Sequence, residues 1–226
     1  IGHTSLLSNK ATGMIEYGLD GYELIGVLSE SAGDIICVNA KSSPYKSLKD
    51  IVEAARKEPN KLRMAVNVGS TTQVISSMLE DKAGIQFNSV HGGGAAEKAV
   101  ALLGGKIDVT ILPYGTAKSY IESGDFLALA VVRSERNKKF PNIPCTVELG
   151  YDVVSPTRYF LAVTKGTPKE IVAKLREVTR KIVTENKEYA QMIDKAFSQD
   201  PTWMDVEKGT AEFARMQEVV NKYAKR

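Results

Sequence analysis

The sequence has few of the residues that most enzymatic and metal sites require. Among 226 residues there are two histidines, two cysteines and one tryptophan. No group of histidine, cysteine and carboxylate side chains has the spacing of metal ligands. Cys37 lies in an apolar run and Cys145 follows a proline, and the sequence leaves open whether the two form a disulfide. We therefore expect neither a metal nor a cofactor.

Long apolar runs and an excess of one charge are also lacking. No stretch approaches the roughly 18 apolar residues of a membrane span, so direct membrane insertion is not expected. No leader peptide is recognisable, and the chain opens within the strand-like run "IGHTSLL", which suggests that a front segment is missing. The formal net charge is +3 with dispersed lysines and arginines, which argues against nucleic-acid binding.

What the chain does have is a regular alternation of strand and helix patterns between residues 41 and 130. Such alternation predicts an α/β protein with a parallel, doubly wound sheet. We expect this stretch to form one lobe, and residues 1–40 with 131–226 to form a second doubly wound lobe. The chain would cross between the lobes twice, near 38–42 and 129–135, creating a cleft with a hinge.

Several helix ends and faces are also predicted. Ser47 caps a helix, with Asp50 completing a capping-box-like start, and Gly84 closes another. Thr167 caps a third helix, with Pro168 in its first turn. Helical spacing assigns two apolar stripes to the core, comprising Ile171, Leu175, Val178 and Ile182 on one helix and Phe213, Met216 and Val220 on another.

Three strand-to-helix junctions have an unusual composition. In a parallel sheet such junctions share one edge, where ligands bind. Free N–H groups at helix starts, glycines that permit close approach and hydroxyl donors together suit an anion. Simple helix capping is the alternative for any one junction, but three together favour a ligand site. The candidate residues are Gly69, Ser70, Thr71 and Thr72; Gly92, Gly93, Gly94 and Ala95; and Tyr114.

Enzymatic motifs are incomplete. His91 followed by three glycines is similar to an esterase oxyanion motif, but the sequence around Ser70 is not a nucleophile elbow. Gly92 and Gly94 lack the third glycine of a dinucleotide fingerprint, because Glu97 stands there. With no base beside a nucleophile, we expect no enzyme.

Three further side chains have a functional and a structural interpretation. Arg158 either clamps a carboxylate or is a solvated arginine at the start of a strand. Tyr159 alternates with Phe160, so one faces the core and the other lines the cleft. Lys10 either meets an anion or remains a surface lysine.

At these residues the sequence resembles a known family, the substrate-binding proteins of tripartite tricarboxylate transporters, also called the Bug family. The resembling segments follow the family's order and cover nearly the whole chain: "GHTSLLSNKATG", "SLKDIVEAARKEPNKLRMAVNVGSTTQVISSMLEDKAGI", "SVHGGGAAEKAVALLGGKIDV", "SGDFLALAVVRSERNKKFPNIPCTVELG" and "GTPKEIVAKL". The resemblance implies a type II periplasmic-binding-protein fold whose two lobes close on a small carboxylate.

The resemblance also implies which residues form the site. Its first ligand loop corresponds to Gly69–Thr72, its Gly-Gly pair to Gly94 and Ala95, and its other hydroxyl-rich turn to Ser8, Asn9 and Lys10. This sequence departs from the family at five positions: Gln73 replaces a usual histidine, Gly92 and Gly93 replace aromatic and lysine residues, Leu112 replaces a common aspartate, and Arg158 replaces an aromatic residue. The departure at Leu112 argues against an amino-acid ligand.

The expected function is therefore that of a periplasmic or extracytoplasmic receptor. It would bind a small organic carboxylate as a monomer, without any covalent change of the ligand, and pass it to membrane permease subunits. Two alternatives stay open: a carboxylate-sensing module of the same fold in a regulatory system, and an enzyme that depends on His91.

Overall fold

The computed structural model describes residues 1–224. In chain order, its elements are β1 (Gly2–His3), α1 (Ser5–Ala11), a 3-10 turn (Leu19–Gly21), β2 (Tyr22–Ser31), β3 (Asp34–Asn39), α2 (Leu48–Lys57), β4 (Arg63–Val66), α3 (Thr71–Ala83), β5 (Asn88–His91), α4 (Ala95–Leu103), β6 (Val109–Pro113), α5 (Tyr114–Glu122), β7 (Phe126–Val131), β8 (Arg158–Thr164), α6 (Lys169–Glu185), α7 (Lys187–Phe197), β9 (Gln199–Met204) and α8 (Val206–Tyr223). Strands and helices both contribute extensively, as expected for an α/β protein.

The chain divides into two compact units. Unit 1 comprises Ile1–Ser31 and the chain from Thr157 onward, and unit 2 is Ala32–Pro156. The sequence pattern predicts these boundaries about 9 residues later and 26 residues earlier, at 40/41 and 130/131. The difference arises because β3 pairs with β6 and β7. In addition, the segment after β7 folds back, so that Val131 bridges Cys145.

Unit 2 contains a five-stranded sheet in the order β5-β4-β6-β3-β7. Strands β5, β4 and β6 are mutually parallel. The sheet is mixed rather than wholly parallel as the sequence analysis expected, because β3 runs antiparallel to both of its neighbours. Residues Ile35–Val38 are completely buried, and a continuous apolar run of this kind fits a central strand of either direction.

Local signals in unit 2 are confirmed. Ser47 and Asp50 form a full capping box: the Ser47 hydroxyl accepts the Asp50 N–H, while the Asp50 carboxylate accepts the Ser47 N–H. Gly84 ends α3 in the left-handed conformation, with φ +63°, which a residue with a Cβ rarely adopts. Both features fix helix ends that lead into or away from the sheet.

Unit 1 contains an antiparallel sheet in the order β1-β8-β2-β9. Strand β9 was not predicted, since "QDPTWM" is polar and includes Pro201. Its place at the edge of the sheet explains why proline is tolerated there. This sheet is therefore not built from parallel strand-helix-strand units.

Helix α6 differs from its prediction in two ways. Thr167 does not cap it, because the Thr167 hydroxyl donates to the Thr164 carbonyl and the N-cap residue is Pro168. The predicted core stripe is also wrong: the exposed fractions of Ile171, Val178 and Ile182 are 47%, 40% and 41%. The helix instead buries Val172, Thr179 and Val183.

The two cysteines are not joined by a disulfide. Cys37 and Cys145 are buried free thiols, and burial raises the pKa of Cys37 well above its usual range.

Of the helices described within residues 1–224, none combines the length and the apolar character needed to cross a bilayer.

Candidate functional site

The candidate site lies at one edge of the unit 2 sheet. Strands β4, β5 and β6 run parallel and each is followed at its carboxyl end by a helix, α3, α4 and α5 respectively. The three helix starts therefore share this edge, which is where open α/β sheets bind ligands. The predicted residues of the three junctions lie here.

The start of α3 is open. Ser70 is the N-cap residue by position, yet its side chain makes no capping hydrogen bond. Its hydroxyl donates instead to the Asn67 carbonyl at 2.7 Å and lies 2.8 Å from the Thr72 hydroxyl. The first-turn N–H groups of α3 are thus left without a side-chain cap, at the positive end of a 13-residue helix.

Side chains on either side of this turn hold the loop in place. The Gln73 side-chain oxygen accepts the Gly69 N–H at 2.8 Å. Asn67 connects the first and second junctions, because its oxygen accepts the Gly92 N–H at 3.3 Å and its amide donates to the Gly93 carbonyl. The two glycine-rich loops are therefore one hydrogen-bonded structure.

A buried lysine lies beneath these loops. Lys98 is only 4% exposed, although it stands in the first half of α4. Its ammonium donates to the Thr72 hydroxyl at 3.1 Å. Burial lowers the pKa of Lys98, and the negative charge of Asp34 partly offsets that effect. Asp34 begins β3 opposite Pro113, at the same edge of the sheet.

The start of α4, in contrast, already holds an anion. The Glu97 carboxylate accepts the Gly94 N–H. Gly94 has no side chain, so only this half of a capping box exists. The sequence pattern predicts a second open anion site at Gly92–Ala95, but a carboxylate of the protein itself occupies part of it.

The third junction is closed by packing. Tyr114 is 9% exposed and its ring lies 4.0 Å from the ring of Phe140, centroid to centroid. Its N–H donates to the Gly33 carbonyl at 3.0 Å, and burial raises the pKa of its hydroxyl. Tyr114 therefore belongs to the hydrophobic core of unit 2 rather than to an open surface.

Arg158, in unit 1, is already bound by two carboxylates. Its guanidinium donates to Glu30 and to Glu212, the latter from Nη2 at 3.1 Å. The Arg158 side chain is 12% exposed. These contacts give Arg158 a structural role, joining β2, β8 and α8, and we do not include it in the candidate site.

The other unit 1 candidates also have local partners. Ser8, Asn9 and Lys10 lie on α1 rather than in the expected turn. Ser8 is 2% exposed, and the Lys10 ammonium donates to the Glu16 carbonyl. The Tyr159 ring contacts the His3 ring, with centroids 5.8 Å apart. Ser8 is thus buried within unit 1, and Lys10 and Tyr159 have local partners there.

Two residues of the site were missed by the sequence analysis, Asn67 and Lys98. The signal for Lys98 was present, because it lies four residues before the buried Leu102 on the inner face of an amphipathic helix. The edge of the unit 2 sheet offers N–H groups, hydroxyls and one ammonium. Within residues 1–224 no cluster of histidine, cysteine and carboxylate side chains could hold a metal ion.

The sequence matches known proteins over most of its length. The family described as "TctC: Tripartite tricarboxylate transporter family receptor" matches residues 17–224. The "UPF0065 protein in gbd 5'region" of Cupriavidus necator is 30% identical over 174 residues, which is 76% of this chain and 52% of that protein. Protein BugT of Bordetella pertussis is 28% identical over 63% of this chain and 45% of its own. The chain spans about half the length of these curated relatives.

Solved structures share the fold. A TctC solute-binding protein from Polaromonas superposes with a TM-score of 0.77 at 30% identity, covering 99% of this chain and 75% of that one. Rpa4515 of R. palustris, solved with adipate, gives a TM-score of 0.82 at 23% identity, covering 100% of this chain and 77% of its own. The fold is therefore that of the type II periplasmic-binding proteins. The chain belongs to the tripartite tricarboxylate transporter receptor (TctC) family, which includes the Bug proteins.

Proposed function

We propose that this chain is the ligand-binding part of an extracytoplasmic solute receptor. It captures a small organic carboxylate without chemical change and delivers it to the membrane permease of a tripartite tricarboxylate transporter. The observation that carries the proposal is the uncapped first turn of α3, with its hydroxyls, at the edge of the parallel strands. Membership of a receptor family and a fold shared with an adipate-bound neighbour support it.

The proposed mode of binding follows from the donors present. A carboxylate oxygen placed before α3 would accept N–H groups of the first turn, where the helix dipole favours a negative charge. The Thr71 hydroxyl and the Thr72 hydroxyl flank that position on the first two residues of α3. No nucleophile or base enters this arrangement, so binding and release complete the cycle. Capture by hinge closure stays a prediction from the sequence alone.

Calorimetry of a double variant tests the assignment of the loop. The panel is succinate, glutarate, adipate and pimelate. We expect wild-type protein to bind at least one of them, and Thr71→Ala/Thr72→Ala to bind it with a loss of about 1–3 kcal/mol, as for hydrogen bonds to a charged group. The control is Thr167→Ala/Thr202→Ala, which changes two unit 1 threonines whose hydroxyls donate to backbone carbonyls. Unchanged affinity in the α3 variant would reject the loop assignment.

Transport is tested separately from binding. Cells that carry the full-length receptor gene with the same double substitution should lose uptake of the labelled acid, provided that the acid reaches the receptor. Normal uptake together with a lost transcriptional response to the acid would instead indicate a sensing role.

A further inference from the structure

Lys98 has more hydrogen-bonding capacity than the protein uses. An ammonium carries three N–H donors, and within residues 1–224 the Lys98 ammonium makes one hydrogen bond, to Thr72 Oγ1 at 3.1 Å. The residue is 4% exposed. A buried charge is costly unless it is paired and hydrogen-bonded, so further acceptors at this ammonium would be favourable.

The local packing brings this ammonium to the α3 start. Gly92 leaves room for the lysine stem, because a Cβ on Gly92 would lie 2.8 Å from Lys98 Cγ and 3.0 Å from Lys98 Cε. The stem therefore crosses the glycine loop and brings Nζ to the hydroxyl of Thr72. That hydroxyl lies on the second residue of α3, so the ammonium and the uncapped N–H groups share one location.

Asp34 does not remove the need for a ligand. Its charge acts on Lys98 and favours the protonated form, yet the hydrogen bond that Lys98 makes goes to Thr72. The aspartate thus favours the charged form of the buried lysine, while leaving donors available. A carboxylate oxygen at the α3 start would satisfy both the N–H groups and the ammonium.

We propose that Lys98 is the charge-pairing residue of the site, which donates to a ligand carboxylate held at the start of α3 and selects anionic acids over their neutral amides. The inference rests on the proposed function and adds a residue and a selectivity to it. The ammonium would lie beside the carboxylate held at α3. It therefore acts mainly on that carboxylate and less on the second carboxylate of a dicarboxylic acid.

Calorimetry with Lys98→Met tests the inference. Methionine keeps an unbranched stem and removes the charge. The tightest-binding acid of the succinate-to-pimelate panel and its diamide are titrated into both proteins. We expect the acid to bind K98M about 10- to 100-fold more weakly, the range for a hydrogen bond to a charged group, and the acid-to-amide affinity ratio to fall by a similar factor. The exposed Lys106→Met control should change neither quantity.

The outcomes separate the two proposals. If wild-type protein binds no acid of the panel, the proposed function fails and the inference falls with it. If wild-type protein binds an acid and K98M binds it equally well with an unchanged acid-to-amide ratio, only the inference is overturned. In that case water accepts the remaining N–H donors of Lys98. Should K98M fail to fold, Asp34→Asn/Lys98→Met, which removes both charges, is measured in its place. The same two results are expected of it, and the same one would overturn the inference.

Discussion

The carboxylate of Glu97 accepts the N–H of Gly94 at the start of α4. Glu97 directly precedes Lys98 in the sequence. The protein thus places a carboxylate and an ammonium on adjacent residues of the same helix, with opposite effects on an incoming anion. Glu97 is exposed whereas Lys98 is buried. The acidic side chain neutralises the positive end of α4, which leaves the start of α3 as the open anion position of the described edge.

Removing the charge of Glu97 should therefore strengthen carboxylate binding. In Glu97→Gln the amide oxygen can still accept the Gly94 N–H, but a negative charge near the ligand is lost. We expect the affinity for the bound acid to rise about 2- to 5-fold, matching the ~0.3–1 kcal/mol of an exposed charge at a helix end. Calorimetry at low and high salt measures the change, which should shrink as salt increases.

The matched control for this charge change is Glu53→Gln on α2, where the glutamate is also exposed. It should leave affinity unchanged. Weaker binding by E97Q would mean that the glutamate orders the loop more than it repels the ligand, which contradicts the prediction.

Gly92 is expected to tolerate an added side chain poorly. An added Cβ would lie 2.8 Å from Lys98 Cγ and 2.9 Å from Ala65 Cβ, and Ala65 is fully buried. Gly92→Ala should lower the free energy of unfolding by about 1–3 kcal/mol, the usual cost of overpacking. Denaturant titration measures it.

Gly94→Ala is the matched control, because its nearest neighbour beyond the adjacent residues would be Glu97 Oε2 at 3.4 Å. The cost of G92A should fall when it is combined with Lys98→Ala, since one of the two contacts disappears. Equal costs in both backgrounds would show that Lys98 does not lie against the glycine.

Arg158 should matter for stability and not for ligand affinity. Its side chain and those of Glu30 and Glu212 are 12%, 17% and 21% exposed. Arg158→Met removes the ion pairs that Arg158 makes with two largely buried carboxylates, which should cost about 3 kcal/mol of unfolding free energy, the lower end for a broken buried pair. Calorimetric affinity for the acid should be that of wild type. A loss of affinity in folded R158M would restore the carboxylate clamp considered from the sequence.

Sequence reasoning succeeded where the information was local. The capping box of Ser47 and Asp50 and the terminating Gly84 depend on residues within one turn, so the pattern alone predicts them. The three helix starts at one edge followed from the alternation of strands and helices. The α3 loop, Gly69–Thr72, was singled out by its glycine and hydroxyls at such a junction, and its role in ligand binding stays a prediction.

Sequence reasoning failed where the structure depends on partners that are distant in the sequence. The apolar run of β3 is the same for either strand direction, and direction is set by β6 and β7. On α6, Val172 and Val183 are adjacent in sequence to residues of the predicted stripe, so the helix has a wide apolar surface. Packing against the sheet determines which of these residues are buried. Arg158 was ambiguous because Glu212 lies 54 residues away. Lys98 was missed because a lysine in an amphipathic helix is usually solvated.

The ion pair of Arg136 and Glu148 should make stability depend on pH. Hydrogen bonds from Arg136 are the main cause that lowers the pKa of Glu148 from 4.5 to about 2, against a smaller opposing effect of desolvation. A carboxyl group whose pKa is lowered in the folded state contributes stability above its unfolded pKa, and that contribution is lost as the pH falls towards the folded pKa. The window is therefore about pH 4.5 down to about 2.

Thermal unfolding of wild-type protein and Arg136→Gln across this range tests the linkage. At neutral pH the variant should melt at a lower temperature, and the two melting temperatures should converge as the pH approaches 2, because wild-type Glu148 is then protonated as well. The size of the difference is limited by solvent screening, since the Arg136 and Glu148 side chains are 48% and 34% exposed. Arg180→Gln, whose pair with Glu185 is longer at 3.6 Å and has the more exposed glutamate, should show a smaller difference throughout. A constant gap between wild type and R136Q over the whole range would mean that Arg136 stabilises the fold through its bond to the Pro141 carbonyl instead.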